Sequence, residues 1–470
     1  MKMHWGRRPG APAALPTGGA ERAARMRHFH FRGERSSAPE DPTLVEGPLA
    51  SEPVAAAFLR RVRGNDFVRH GALVFGSSML VSVCGFLYHA GVSRRLGVED
   101  YGALYALLAI LPLAGLPAGI ISTVIVKFAA EFQALGDEAH IHALVAKVSL
   151  GMGALGVVFV GAAVVFERAI AGFLHVPGYA VVPTALLLLV VLLLPALRAV
   201  LQGTQDFVRF AVSSTIEGVL KAALGVAFVF AGYGLLGALG GWTLGSFTSL
   251  GYTWFVLRRR YSRTASGDLH LDWQRIAQTL WGAAVAAIAA TVLSYGDVLL
   301  VKHFMSAREA GLYASVSLGG KILLFVAGFV PMVLLPKAAH RSTSGRSPFP
   351  IFLAAMATLA AFSLAGLALF YVAPSLVLRS LVGGQFLAAS HLLFGYGLAM
   401  VFLAGMGLVA NYKIALHRFD FAIPFCLVTA GELVAIAVHH PSLGAVIAIL
   451  ITGNALGFAA SLYRIAAWRA

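Results

Sequence analysis

Residues 293–315 read LSYGDVLLVKHFMSAREAGLYAS. This apolar run carries an aspartate, Asp297, leaves through Lys302 and Arg308, and re-enters apolar sequence at AGLY. Residues 92–106, VSRRLGVEDYGALYA, repeat the same order of basic residue, acidic residue, glycine and aromatic. Setting Gly102 against Gly311 gives an offset of 209 residues, which also brings Ala129 and Ala130 onto Ala338 and Ala339. The pattern predicts a chain made of two copies of one unit.

Composition decides the solvent. Hydrophobic residues make up 59% of the chain and charged residues 12%, and mean hydropathy is +0.80. A water-soluble domain would carry roughly twice that charged fraction. Apolar runs near the ~20 residues that cross a bilayer recur throughout. There are twelve, at 69–92, 101–126, 143–166, 179–201, 208–231, 234–257, 278–300, 312–335, 349–372, 389–412, 419–438 and 442–464. The fold class expected is therefore an all-α polytopic membrane protein.

The stretch RRRYSRTASGDLHLDWQR at 258–275 is the longest connection on its side and follows the sixth run. It divides the chain into a six-helix bundle at 67–257, a linker at 258–277 and a second bundle at 278–470. Six is even, so both halves have the same orientation, a parallel repeat about an axis along the membrane normal. Residues 1–66, rich in Arg, Pro, Gly and Ala, have no signal-peptide core. They read as a disordered basic cytoplasmic tail. The alternatives are an anionic-lipid anchor at FLRRVRGNDFVRH, 58–70, or an over-extended start.

A net charge of +15 would suggest nucleic acid in a soluble protein, but its distribution argues otherwise. With the tail inside, twenty Lys and Arg fall on inward connections, among them Arg198, Arg209, Arg258 to Arg260 and Lys413, against six on outward ones. This positive-inside bias places both termini in the cytoplasm, with lipid and not nucleic acid as the partner. Cys84 and Cys426 lie in apolar runs and imply neither a disulfide nor a metal framework, and no cofactor is expected. Gly151, Gly153 and Gly156 spell a dinucleotide fingerprint, yet no strand precedes them, so it is set aside. Gly237, Gly241 and Gly245, and Gly115 with Gly119, have the small-residue spacing that lets helices approach closely.

The informative residues are charges that a bilayer should exclude. Ser213, Glu217 and Lys221 recur every four residues in the fifth run and form one polar stripe. Each buried charge costs about 2.5–3.5 kcal/mol on insertion scales, so the stripe should face a partner helix or a wet cavity. Glu217 and Lys221 are spaced to pair with each other, and a structural ion pair is the plainer reading. Lys321 lies about nine residues, roughly 13 Å, below the outer end of the eighth run. Ser317 shares its face. Asp297 sits only some three residues from the outer end of the seventh run, placed to pair with Lys302. Glu432 is an isolated acid in the eleventh run, suited to a proton or cation. Arg198, Gln202, Gln205 and Arg209 gather at an inner end and read mostly as positive-inside retention.

SYGDVLLVKHFMSAREAGLYASVS resembles the start of the second half in the multidrug/oligosaccharidyl-lipid/polysaccharide (MOP) flippase superfamily, in particular its polysaccharide-export branch. RRLGVEDYGALYALLAILPLAGLPAG resembles the corresponding turn and second helix of the first half. Members with extra helices after the twelfth belong to the peptidoglycan-precursor branch, from which this chain is expected to differ. The resemblance implies a bacterial cytoplasmic-membrane flippase for an undecaprenyl-pyrophosphate-linked glycan, working by alternating access. It implies a role for Asp297 directly. Assigning Ser213, Glu217, Lys221 and Lys321 to substrate binding, and Glu432 beside Asp297 to a coupling proton or sodium ion, rests on charge burial alone. Two alternatives stay open: an ion-coupled multidrug antiporter of the same fold, and a membrane glycosyltransferase or polymerase using Glu99 and Asp100.

Overall fold

Proline and glycine decide where the apolar runs break. The computed structural model describes residues 66–261, 273–327, 347–416 and 418–463, with the side chains of 66–70, 273–280, 283, 326 and 327 excepted. The expected tail up to residue 65, residues 262–272 of the expected linker, and Ala338 and Ala339 lie outside them. The second apolar run forms two helices, α2 (Val98–Ala114) and α3 (Leu116–Ala134), separated at Gly115. Pro112 and Pro117 flank the break, and each removes a backbone donor.

Around these lie α1 (Asp66–Leu96), α4 (Glu138–Val165), the short α5 (Glu167–Leu174), α6 (Val181–Gly203), α7 (Phe207–Phe228) and α8 (Gly234–Tyr261). The turn from α7 to α8 passes through Gly232 at φ 96 and Gly234 at φ 53, where a side chain would be strained. Then come α9 (Trp273–Phe304), α10 (Ala307–Ala327), α11 (Phe349–Val372), the short α12 (Pro374–Leu381), α13 (Leu393–Ala415), α14 (Ala422–Val438) and α15 (Leu443–Ser461). No strand occurs among the described residues. Asp137, Asp206 and Ser442 cap α4, α7 and α15 by accepting otherwise unsatisfied N–H groups.

Among the described residues, nine helical stretches are long and apolar enough to cross a membrane, one of them spanning both α7 and α8. Many large apolar side chains are exposed on these helices, Val165, Val372 and Val438 among them. Such a surface suits lipid and not water.

The helices pack in two sets. In the first, α7 lies against α1 and α8, and α6 against α3, α4 and α8; in the second, α13 lies against α10, α11 and α15, and α14 against α9 and α15. The sets meet where α2 packs on α9 and α10. The glycine spacing in α8 works as its sequence suggests: a Cβ on Gly241 would strike the backbone of Gly225, and one on Gly245 would lie 2.8 Å from the Lys221 nitrogen. The reading fails at Gly119, which has nothing within 4 Å of its Cβ position.

Candidate functional site

The polar stripe of α7 is shared out differently from its spacing. Arg198 on α6 donates from Nη1 to Glu217 Oε2 (2.8 Å), from Nε to Ser213 Oγ (2.8 Å), and from Nη2 to the Ser213 carbonyl and Ser249 Oγ (both 2.9 Å). Ser246 donates to the second Glu217 oxygen, and Ser213 Oγ also meets Thr253 Oγ1 at 2.7 Å. Glu217 therefore pairs with Arg198 and not with Lys221. The physical reason is reach: a guanidinium offers a planar fork that binds three helices at once, which an ammonium one turn away cannot match. Arg198 is correspondingly an interior brace and not a residue held at the membrane surface. Arg209, from the same expected inner cluster, does stay at the surface, sharing Asp206 with Arg260.

Lys221, released from that pairing, places its ammonium 4.4 Å from the centre of the Trp242 ring. Trp242 stands edge-on to Tyr88 (5.4 Å), whose hydroxyl donates to the Ala238 carbonyl. His89 Nδ1 meets the Tyr101 hydroxyl at 3.1 Å.

Across the interface, Lys321 on α10 is 2% exposed, with its ammonium 4.3 Å from the centre of the Tyr295 ring and 5.4 Å from that of Tyr105. It has no hydrogen-bond acceptor among the described residues. The contrast with Lys413 is informative. That lysine is equally buried, yet it donates to Asp420 (2.9 Å) and to the Tyr463 carbonyl (3.2 Å).

Asp297 does not pair with Lys302. The helix runs on to Phe304, so Asp297 sits about two turns from its end, only 2% exposed. One carboxylate oxygen accepts from the hydroxyls of Tyr313 (2.7 Å) and Tyr396 (2.8 Å); the other has no partner among the described residues. Tyr396 also meets Ser317 Oγ at 3.0 Å, and Ser317 meets Tyr105 at 3.4 Å, so the network reaches α2. Glu432, 4% exposed, lines one narrow crevice with Asp297 between α9, α14 and α15, and its Oε1 is also unpartnered.

A family model described as polysaccharide biosynthesis protein matches residues 67–339, more than half of the chain. The chain belongs to that family. No curated protein matches it. The chain is similar in fold to a multidrug resistance MATE family transporter of the MOP superfamily in an inward-facing conformation, with a TM-score of 0.67 at 12% identity over 83% of this chain and 95% of that one. It is similar also to the lipid II flippase MurJ in an inward closed conformation, with 0.63 at 12% over 84% and 87%. An outward-facing MATE transporter scores 0.56 at 17% over 87% and 98%. The chain thus shares the multi-helix fold of these membrane transporters, with a higher TM-score to the inward-facing relative than to the outward-facing one.

Sequence reasoning read Arg198 as positive-inside retention, and it missed Trp242, His89 and the tyrosines at 101, 105, 295, 313 and 396. One signal was available: tyrosine favours the membrane interface, so a tyrosine deep in an apolar run implies a buried hydroxyl partner.

Proposed function

We propose that this protein is a flippase that carries a polyprenyl-pyrophosphate-linked oligosaccharide across the bacterial cytoplasmic membrane by alternating access. In this reading, twelve spans form two six-helix bundles, 67–257 and 278–470, with both termini in the cytoplasm. Lys221 and Lys321 meet the pyrophosphate, the glycan lies between the halves, and the polyprenyl tail stays in lipid. Glu217 and Ser213, held by Arg198, keep α7 rigid so that Lys221 is presented from a fixed backbone. Asp297 and Glu432 take the coupling proton or sodium ion.

The observation that carries this reading is the Lys321 ammonium, which has ring contacts but no hydrogen-bond acceptor among the described residues. A buried ammonium that lacks an acceptor costs several kcal/mol, and the same chain gives Lys413 two acceptors. An anionic group that arrives with the substrate supplies the missing acceptor by a charge-assisted contact. A multidrug antiporter fits the tyrosine-caged Asp297, but two interior lysines repel a cationic drug. The test is glycan surface display in cells expressing Lys221→Ala or Lys321→Ala at native level. Loss of display by stably folded variants is expected; normal display in both removes the lysines from the site. Cation-driven drug efflux by purified protein in liposomes would favour the antiporter.

A further inference from the structure

The offset of 209 residues that aligns Gly102 with Gly311 also aligns Arg94 with His303. These two residues end the first long helix of each set, α1 and α9, and they make the same kind of contact. Arg94 Nη2 donates to the carbonyls of Ser380 (2.9 Å) and Arg379 (3.2 Å), in the last turn of α12. His303 Nδ1 lies 2.7 Å from the carbonyl of Phe173, in the last turn of α5, and so donates to it. The helices gripped are themselves counterparts: α5 and α12 are each eight residues long, and each follows directly on a long helix, α4 and α11 respectively. Each set therefore holds the short helix of the other.

Physical chemistry explains the choice of carbonyls. The last four C=O groups of a helix have no partner within it, and in a helix of eight residues these are half of the acceptors. A donor from the opposite set satisfies them only while the two sets are together.

Further contacts surround both grips. Ser93 Oγ, fully buried, donates to the Val382 carbonyl at 2.9 Å, and Gln385 Nε2 donates back to the Ser93 carbonyl. Gly383, at φ 104, lets the chain turn there, and a Cβ on it would lie 3.1 Å from Arg94 Cγ. On the other side, His303 stacks on Phe173 with ring centres 4.1 Å apart, and His175 lies 5.8 Å away.

We propose that Arg94 and His303 are the two arms of a reciprocal latch that holds this end of the molecule closed, and that both arms must release for the halves to part there. The inference rests on the transporter reading for its purpose, and on that of the outer end for its side, but not for its geometry. Its test reads opening directly and does not depend on any substrate. Spin labels at Arg168→Cys on α5 and Leu376→Cys on α12, in a Cys84→Ala and Cys426→Ser background, report the separation of the two short helices by pulsed electron resonance in nanodiscs. With the latch intact one short distance is expected. Arg94→Ala with His303→Ala adds a longer population, each single alanine variant adds a smaller one, and Arg94→Lys with His303→Asn, which keep a side-chain donor, restore the short distance. An unchanged distribution in folded single and double alanine variants overturns the latch. A changed distribution in a protein that drives cation-coupled drug efflux in liposomes and is not needed for glycan display leaves the latch standing and removes the flippase reading.

Discussion

Gly102 and Gly311 touch: a Cβ built on Gly102 would lie 2.7 Å from the Cα and nitrogen of Gly311, and one on Gly311 would strike the Val98 carbonyl. The residues that register the two halves in sequence also meet across their interface. Contact at equivalent points is what an approximate two-fold axis requires, since only residues near the axis meet their own counterparts. Gly102→Ala or Gly311→Ala is expected to lower stability by about 1–3 kcal/mol, because backbone cannot give way as a side-chain tip can. Gly119→Ala, which faces open space, is the neutral control. Thermal unfolding of the purified variants in one detergent checks both.

Arg198→Ala leaves Glu217 with Ser246 as its only remaining donor among the described residues. Removing one partner of a buried pair costs about 3–5 kcal/mol; the pair is 14% and 23% exposed, which places it near the lower figure. Arg198→Met together with Glu217→Met is expected to recover most of the loss. A melting temperature for the double variant as low as that of Arg198→Ala would show that the bridge is not what destabilises the single change.

Lys321→Met should separate binding from folding. It removes a buried charge that has no hydrogen-bond acceptor among the described residues, so the melting temperature is expected to hold or rise. Affinity for undecaprenyl diphosphate is expected to fall about 10–100-fold, the equivalent of one charge-assisted hydrogen bond. Native mass spectrometry in lipid nanodiscs measures the second quantity. A drop in stability with unchanged affinity would make Lys321 a structural residue.

Asp297→Ala strands the Tyr313 hydroxyl, while Tyr396 keeps Ser317. The expected cost is about 1–3 kcal/mol, the penalty for one buried group left unsatisfied. Asp297→Asn preserves an acceptor and should fold normally, yet transport should no longer respond to a proton or sodium gradient. Retained gradient dependence in Asp297→Asn would exclude the carboxylate from coupling and leave Glu432 to be tested in the same way.

The solvent and the helical class were legible because each is written in local terms. Apolar length, charge exclusion and the spacing of Gly237, Gly241 and Gly245 do not depend on what a helix meets. The break at Gly115 was half-legible, since Pro112 and Pro117 mark a weak point without saying whether the helix bends or ends there.

Partners were a different matter. From sequence, Glu217 has Lys221 one turn away, and Asp297 has Lys302 five residues away beyond an expected helix end, so both pairings are local. Arg198, Tyr313 and Tyr396 are respectively 19, 16 and 99 residues distant from the acids they meet, and no local rule points to them. The sequence by itself therefore determined that charges are buried in an apolar helical chain. Only the tertiary structure decided which are neutralised and which are left free, because a pairing is settled by the side chains that neighbouring helices bring into reach, and those come from distant parts of the chain.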